Sequence, residues 1–318
     1  MTPKPSPSPD DTAIVVVLPV YNGAKFLGQQ LDSILAQSFT NTVVLCRDDG
    51  SSDASAEVMR QYAQAHPEQI VVLHDARGNV GARENFSLLM QAALDFDNAA
   101  LRRASRRYCA LADQDDLWLP HKLETLLTRM TELEATHPGR PTIVHSDVRV
   151  VAEDGSVIAP SMAAYQGLRP ERDSFAAQLI SNTVTGCTVL MNRALLEKGT
   201  PIPAESIMHD WWMSLIASAF GQRAYLRQSL VDYRQHATNT IGAKEWVKPT
   251  RHRNIFTHLM DDSHSQTFQN NARQARAFSV RHGHELGLYQ KFVLLLATQL
   301  AIPFPPLQRV LYRLLRQL

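Results

Sequence analysis

The chain has 318 residues, 44% hydrophobic and 20% charged, enough to bury the core of one large domain or two modest ones. Its 32 Lys and Arg residues balance 31 Asp and Glu, a net charge of +1, so no whole-chain field draws in DNA or RNA. Three scattered cysteines (Cys46, Cys109, Cys187) lack metal-ligand spacing, which speaks against a disulfide framework and a cysteine zinc site and for a reducing cytosol.

Met1 to Thr12 alternates Pro, Ser and Thr without an apolar stretch and reads as a disordered tail, not a signal peptide. From Ile14 to Leu18 a continuous β-branched and apolar run predicts a buried strand of a parallel sheet, closed by turn residues from Pro19 to Gly23. Leu27, Leu31, Ile34 and Leu35 then recur at helical spacing. Strands follow at Thr42 to Arg47, Ile70 to His74 and Tyr108 to Ala112, separated by helices through Val58, Met59, Tyr62 and through Phe86, Leu89, Ala93. Four strand–helix alternations predict a doubly wound α/β layer with its ligand crevice at the strand C-termini, where the polar clusters fall.

A charged helix is expected from Pro120 to Thr136, strands over Thr142 to Val151 and Gly186 to Met191, and a helix over Ile207 to Phe220. Beyond Gly242 strand signals vanish, which sets a soft boundary near residue 243. No run approaches the ~20 apolar residues that span a bilayer; Phe292 to Phe304 is short and interrupted by Thr298, Gln299 and Pro303.

Asp113, Asp115 and Asp116 put three carboxylates within four residues at a strand end, mutually repelling unless a cation is present. Mg²⁺ or Mn²⁺ bridging a diphosphate is the natural remedy, and Asp113 and Asp115 project on one side of an extended segment. The alternative is a solvated acidic turn capping the next helix. Asp48-Asp49-Gly50-Ser51-Ser52-Asp53 offers acceptors for a base or ribose, or equally a tight turn at Gly50 with Asp53 as a cap. Arg77 and Arg83 flank a glycine-bearing loop before a helix, a place for phosphate or a plain surface loop. It is not a Walker loop, and no Gly-x-Gly-x-x-Gly follows the first strand, which argues against a dinucleotide cofactor.

Taken in order, Pro19-Val20-Tyr21-Asn22, the Asp48–Asp53 run, the Asn79/Gly81 loop, Asp113-x-Asp115-Asp116, Asp147, Thr185-Gly186-Cys187, His209-Asp210-Trp211-Trp212 and Tyr233-Arg234-Gln235-His236 resemble the family 2 glycosyltransferases. Asp-Gln-Asp-Asp-Leu-Trp with Asp-Trp-Trp and Tyr-Arg-Gln-His looks like the rhamnosyltransferase-like branch. The resemblance covers residues 13 to 243 and implies the nucleotide-diphospho-sugar transferase (GT-A) fold, a Rossmann-like mixed sheet flanked by helices, with a C-terminal helical extension over 244 to 318. It implies that Pro19, Tyr21 and Asn22, with Asp48 or Asp49 and Gln114, serve the nucleotide, with Arg83 and Arg77 near its phosphates and Asp113 nearer the ribose or donor sugar. It places Asp113 and Asp115 at the metal, Asp115 as the more direct ligand, with His236 as a third candidate. Asp147, Gly186, Trp211 and Trp212 fall on the sugar and acceptor side.

Asp210 matches the catalytic carboxylate of inverting members, in a His-Asp pair where the family often has Glu-Asp. It would take the acceptor hydroxyl proton; the bland reading is an N-cap of the following helix. The implied reaction moves a sugar from a dTDP- or UDP-linked donor to a bacterial surface glycan or lipid-linked acceptor, with Mn²⁺ or Mg²⁺. A nucleotidyltransferase is a rival, but Tyr21-Asn22-Gly23-Ala24-Lys25 is a poor version of its lysine-bearing first loop. An inert sugar-nucleotide-binding protein is another, and it would be free to lose Asp115 or Asp210.

At the C-terminus Leu307, Val310, Leu311, Leu314, Leu315 and Leu318 recur at helical steps, with Arg309, Arg313 and Arg316 mostly opposite. Such a helix lies on the inner face of an anionic membrane, or its stripe packs on the catalytic domain or on a second subunit of a homo-oligomer.

Overall fold

A computed structural model describes residues 11–98, 101, 104–236, 242, 245 and 265–318. The expected alternation opens the chain: β1 (Thr12–Val20), α1 (Ala24–Leu35), β2 (Thr42–Asp48), α2 (Ser55–Ala65), β3 (Ile70–Val72), α3 (Ala82–Asp95) and β4 (Arg106–Leu111). There follow β5 (Leu117–Trp118), α4 (Lys122–Thr136), β6 (Thr142–Ala152), β7 (Val157–Ala159), α5 (Met162–Tyr165), α6 (Phe175–Ile180), β8 (Val189–Asn192), α7 (Arg193–Gly199), α8 (His209–Phe220) and β9 (Gln222–Gln235). The last helices are α9 (Ser265–His282), α10 (Leu288–Thr298) and α11 (Pro305–Gln317).

One nine-stranded mixed sheet runs β3-β2-β1-β4-β8-β6-β9-β5, with β7 paired to β6. β3, β2, β1 and β4 are parallel, so their C-termini open on one side. β8 is antiparallel to both β4 and β6, and β9 runs parallel to β6. Alternate residues of β1 serve opposite cores, as a period of two requires. Ala13, Val15 and Val17 join one apolar cluster with α3, α6 and α8; Ile14, Val16 and Leu18 join the other with α1 and α4.

Three local expectations are corrected. The first strand starts at Thr12, where the tail was expected to end, because Thr12 and Ala13 pair with Arg106 and Arg107; residues 1–10 lie outside the described ones. The third strand stops at Val72. Gly186–Thr188 is a 3₁₀ turn, not strand, because both the amide (3.0 Å) and the hydroxyl (2.7 Å) of Thr188 donate to the Thr185 carbonyl and curl the chain.

The soft boundary near 243 falls mostly outside the described residues. Past it, α9 to α11 enter the same apolar cluster as Val15 and Val17, with Phe278 against Phe175 (5.2 Å) and edge-on to Trp212 (5.5 Å). Pro305 and Pro306 start α11, where a missing N–H costs nothing. Its leucine stripe splits: Leu311 and Leu315 are buried while Val310, Leu314 and Leu318 are exposed, and Arg309, expected outside, is buried. Among the described residues, no helix is long and apolar enough to cross a membrane.

Candidate active site

β1 and β2 end side by side, Val20 opposite Asp48, and the two following loops knit together. Asn22 takes a left-handed φ of 49°, and its side-chain oxygen accepts the Ser52 amide at 2.8 Å. Asp53 serves two helices, accepting the Ala24 amide of α1 (3.0 Å) and the Ser55 amide (2.9 Å) and hydroxyl (2.5 Å) of α2. Gly50 holds φ +80°, the tight turn its position promised. Tyr21 stands half exposed at the rim beside the partly exposed Pro19.

The paired aspartates divide. Both oxygens of buried Asp49 are taken: Oδ1 accepts from Arg47 (2.8 Å) and the Val80 amide (2.9 Å), Oδ2 from the Gly81 amide (2.8 Å). It therefore shapes the 78–81 loop. Asp48 accepts the Ser51 amide (3.1 Å) through Oδ2, and its buried Oδ1 meets no hydrogen-bond donor among the described residues. Arg83 donates to the carbonyls of Ala204 (2.6 Å) and Ser206 (3.1 Å), tying α3 to the segment before α8. Arg77 is exposed, 3.9 Å from Asp75.

The segment after β4 meets this rim through Gln114, whose amide donates to the Tyr21 carbonyl (2.9 Å) and accepts from its N–H (2.8 Å). Asp115 Oδ2 lies 2.8 Å from His236 Nε2, joining the end of β9 to the acidic segment across 121 residues of sequence. Arg234 buttresses them: its Nε donates to the Asp115 carbonyl (3.1 Å), its guanidinium lies 4.4 Å over the Phe26 ring, and its own amide donates to Asp116 (3.2 Å). Asp113 and Asp116 gather around buried Lys122, which donates to the Cys187 carbonyl (2.6 Å) and sits over the Trp118 ring.

The electrostatics of this cluster are those of crowded acids. Burial, then the charges of Asp116, Asp115 and Asp210, pushes the Asp113 carboxyl well above the usual range. Burial and Asp115 push Asp116 up to about 7. Burial lowers the Lys122 ammonium well below its ordinary value, so the internal counter-charge is itself weakened. Crowded carboxylate oxygens are the donors a divalent cation takes, and the local negative excess suits one. Ligand atoms of Asp113, Asp116 and Cys187 also lie within 4.8 Å of one another. Burial pushes the Cys187 thiol well up, and in the metal-free chain it donates to Asp116.

Asp210 lies in the first turn of α8, one residue inside it; Met208 is the N-cap, which corrects the reading of Asp210 as a cap. Its Oδ1 accepts from the Trp211 amide (2.6 Å) and Asn182 (3.3 Å). A Cβ on Gly186 would come within 3.1 Å of His209 Nε2, a tight approach, and within an ordinary 3.7 Å of Asp210 Oδ2. Burial raises Asp210 to about 6. His209, buried and stacked on Phe86 (3.8 Å), is lowered to about 3 by burial and stays neutral.

Two acceptor-side expectations, Trp211 and Trp212, are corrected by burial, and Asp147 is held within the scaffold. Trp212 is fully buried and donates to the Gly199 carbonyl (2.9 Å); Trp211, nearly so, donates to the Gln178 carbonyl (2.6 Å). Neither indole offers a face to a sugar. Asp147 is buried, accepting from the Val148 amide (2.8 Å), the Ala163 amide (3.2 Å) and the Ser161 hydroxyl, and so anchors α5 to β6. Lys122, Asn182, Cys187 and Arg234 escaped sequence reasoning as site residues; only Arg234 and Cys187 stood in quoted motifs, and nothing in spacing foretells a buried lysine.

The description "Glycosyltransferase like family 2" matches residues 9–277, past the composition boundary and into α9. The putative teichuronic acid biosynthesis glycosyltransferase TuaG of Bacillus subtilis is 26% identical over 238 residues, 73% of this chain and 82% of its own. The UDP-Glc:alpha-D-GlcNAc-diphosphoundecaprenol beta-1,3-glucosyltransferase WfgD of Escherichia coli is 27% identical over 59% of this chain and 63% of its own. An uncharacterized glycosyltransferase of Nostoc sp. is 27% identical over 71% of this chain, and the match spans 66% of that relative's length. Among solved structures, a Pyrobaculum calidifontis mannosyltransferase in complex with GDP-Man and Mn²⁺ covers 99% of this chain and 84% of its own, with TM-score 0.52 and 18% identity. S. aureus TarS 1–349 in complex with UDP covers 96% of this chain and 87% of its own, with TM-score 0.53 and 14% identity. These likenesses fix the GT-A fold.

Proposed function

This chain belongs to the glycosyltransferase-like family 2, and on that premise we propose that it is a metal-dependent, inverting transferase carrying a sugar from a nucleoside diphosphate to a hydroxyl of a bacterial surface glycan or lipid-linked acceptor. The observation that carries the reading is the pairing of a buried carboxylate poised near pH 6, Asp210, with a separate acidic cluster at the end of β4, of which Asp113 senses its charge. One group has the proton affinity of a general base; the others have the crowding of a cation site. The relatives named for teichuronic acid biosynthesis and for a diphosphoundecaprenol-linked sugar support the acceptor class.

In this mechanism Tyr21, Asn22 and the unpartnered Asp48 Oδ1 receive the base and ribose. Asp113, Asp115 and His236 would hold Mn²⁺ or Mg²⁺, which when bound neutralises charge on the departing diphosphate. Asp210 takes the acceptor hydroxyl proton through Oδ2, the oxygen beside Gly186, while Oδ1 stays fixed by the Trp211 amide and Asn182. The acceptor oxygen bonds to the anomeric carbon as the bond to the diphosphate breaks. Gln114 and Arg234 touch no reacting atom; they lock the two halves of the crevice together.

The test is a donor panel of UDP-, dTDP- and GDP-sugars with product mass spectrometry, in Mn²⁺ and in EDTA. dTDP-rhamnose heads it, on the branch that the Asp-Gln-Asp-Asp-Leu-Trp motif resembles. One donor is expected to give product only with metal, and Asp115→Ala should weaken Mn²⁺-dependent nucleotide binding by roughly tenfold or more. Nucleotide binding without turnover on any glycan acceptor would favour an inert sugar-nucleotide-binding protein.

A further inference from the structure

The basic amphipathic tail expected at the C-terminus is only part of what is exposed there. α10 is apolar on two opposite sides. Val293, Leu294 and Ala297 are buried, while Leu288, Phe292 and Leu295, at steps of four and three, are 87%, 52% and 59% exposed. At about 100° per residue these rows face opposite ways, so a surface helix that ought to be polar outside carries a second apolar face. α11 adds Val310, Leu314 and Leu318, exposed along the edge of its buried Leu311 and Leu315 row. The Tyr289 hydroxyl donates to the Leu318 carbonyl (2.9 Å), which sets the start of α10 against the end of α11 and brings the two exposed rows into one neighbourhood.

Charge says what covers this surface. From Leu286 to Leu318 the chain holds Lys291, Arg309, Arg313 and Arg316 and no acidic residue. Arg309 is buried, leaving Lys291, Arg313 and Arg316 exposed among the apolar rows. We propose that the outward faces of α10 and α11 together form a docking surface for an anionic lipid bilayer. The apolar side chains enter the boundary between headgroups and acyl chains while the three cations meet lipid phosphates. A second copy of the same surface would instead set these cations against their own images. The inference is independent of the transfer chemistry, because none of these residues belongs to the crevice.

The experiment is flotation of the full chain with phosphatidylcholine vesicles, with and without phosphatidylglycerol. Binding is expected only with phosphatidylglycerol. Joint replacement Leu288→Ser, Phe292→Ser and Leu295→Ser should cut the bound fraction about tenfold or more with an unchanged melting curve, since all three are exposed. The charge reversals Lys291→Glu, Arg313→Glu and Arg316→Glu, which remain informative if the first variant misfolds, should each weaken binding by about fivefold or more. Equal binding to both vesicles, binding that survives either set, or no flotation at all would overturn the proposal. So would a dimer in sedimentation equilibrium that the serine variant dissolves while vesicles are ignored, which would give the surface to a second copy.

Discussion

Beside the end of β2, Asp49 and Asp75 are surrounded by donors; at the end of β4 the carboxylates are surrounded by one another. Arg47 is almost wholly buried and spans Asp49 and Asp75, and two loop amides complete Asp49. Hydrogen bonds from Arg47 hold Asp75 down to about 2. Asp113 and Asp116 face a weakened lysine, Lys122, as internal cation, and both are pushed up, chiefly by burial. The same residue type thus acts as scaffold where donors of the chain hold both its oxygens and as an ion or proton site where they do not. An acid left in deficit inside a fold is there for a partner the chain does not itself supply.

The sharpest way to break this contrast is Asp210→Asn. If Asp210 is the base, turnover falls about 10³-fold while Mn²⁺-dependent nucleotide binding persists and the melting temperature holds, because a buried carboxylate has been traded for a neutral amide. The wild-type rate has a matching signature. Asp210 must be unprotonated to accept a proton, and its carboxyl lies near 6, so kcat should fall as pH drops through about 6. An intact rate in Asp210→Asn would move the base elsewhere in the crevice.

Asp49→Ala probes the other side. It leaves the Val80 and Gly81 amides and one arm of buried Arg47 without their acceptor, a loss of about 3–5 kcal/mol if the pair behaves like other buried ion pairs broken from one side. Chemical denaturation reads it directly. A mild effect, with nucleotide affinity lost instead, would make Asp49 a ligand residue and erase the distinction drawn here.

Much of the fold was legible because its signals are local: β-branched runs, helical apolar spacing, and turn residues at strand ends. β1 shows why, since a run apolar at every position is what a strand buried on both faces demands. The candidate site was legible as types and order but not as contacts. Nothing in Asp48-Asp49 says which carboxylate finds Arg47, for that depends on a loop 31 residues away. The tryptophans after Asp210 read as sugar platforms because aromatic residues by a catalytic group often are; their burial comes from α6, α7 and α9, which periodicity alone does not dock. The C-terminal stripe misled similarly, since a leucine row wide enough for a core and a surface does not announce its division.

Lys122 sits where the two regimes meet, and Lys122→Met gives the subtlest test. The pH dependence of stability should run oppositely in the two regions. For Asp75 the folded carboxyl is near 2 against 3.8 unfolded, so its stabilisation is complete above about 4 and lost as pH falls toward 2. For Asp116 the folded value is about 7, so the folded chain keeps its proton longer; stability is complete below about 4 and lost as pH rises through 7 in metal-free protein. Lys122 opposes that loss: its charge favours ionised Asp113 and Asp116, and its own lowered ammonium makes its contribution grow with pH. Methionine in its place should therefore steepen the fall in melting temperature above pH 4 and carry it further into the alkaline range, at about 2–4 °C per kcal/mol for a large domain. The acid limb of kcat should stay near 6, because burial is the largest cause of the rise of Asp210. Were the rate limb to move with the melting curve, the titrating base would be Asp113 or Asp116, and the division of labour between the two carboxylate sites of the crevice would be wrong.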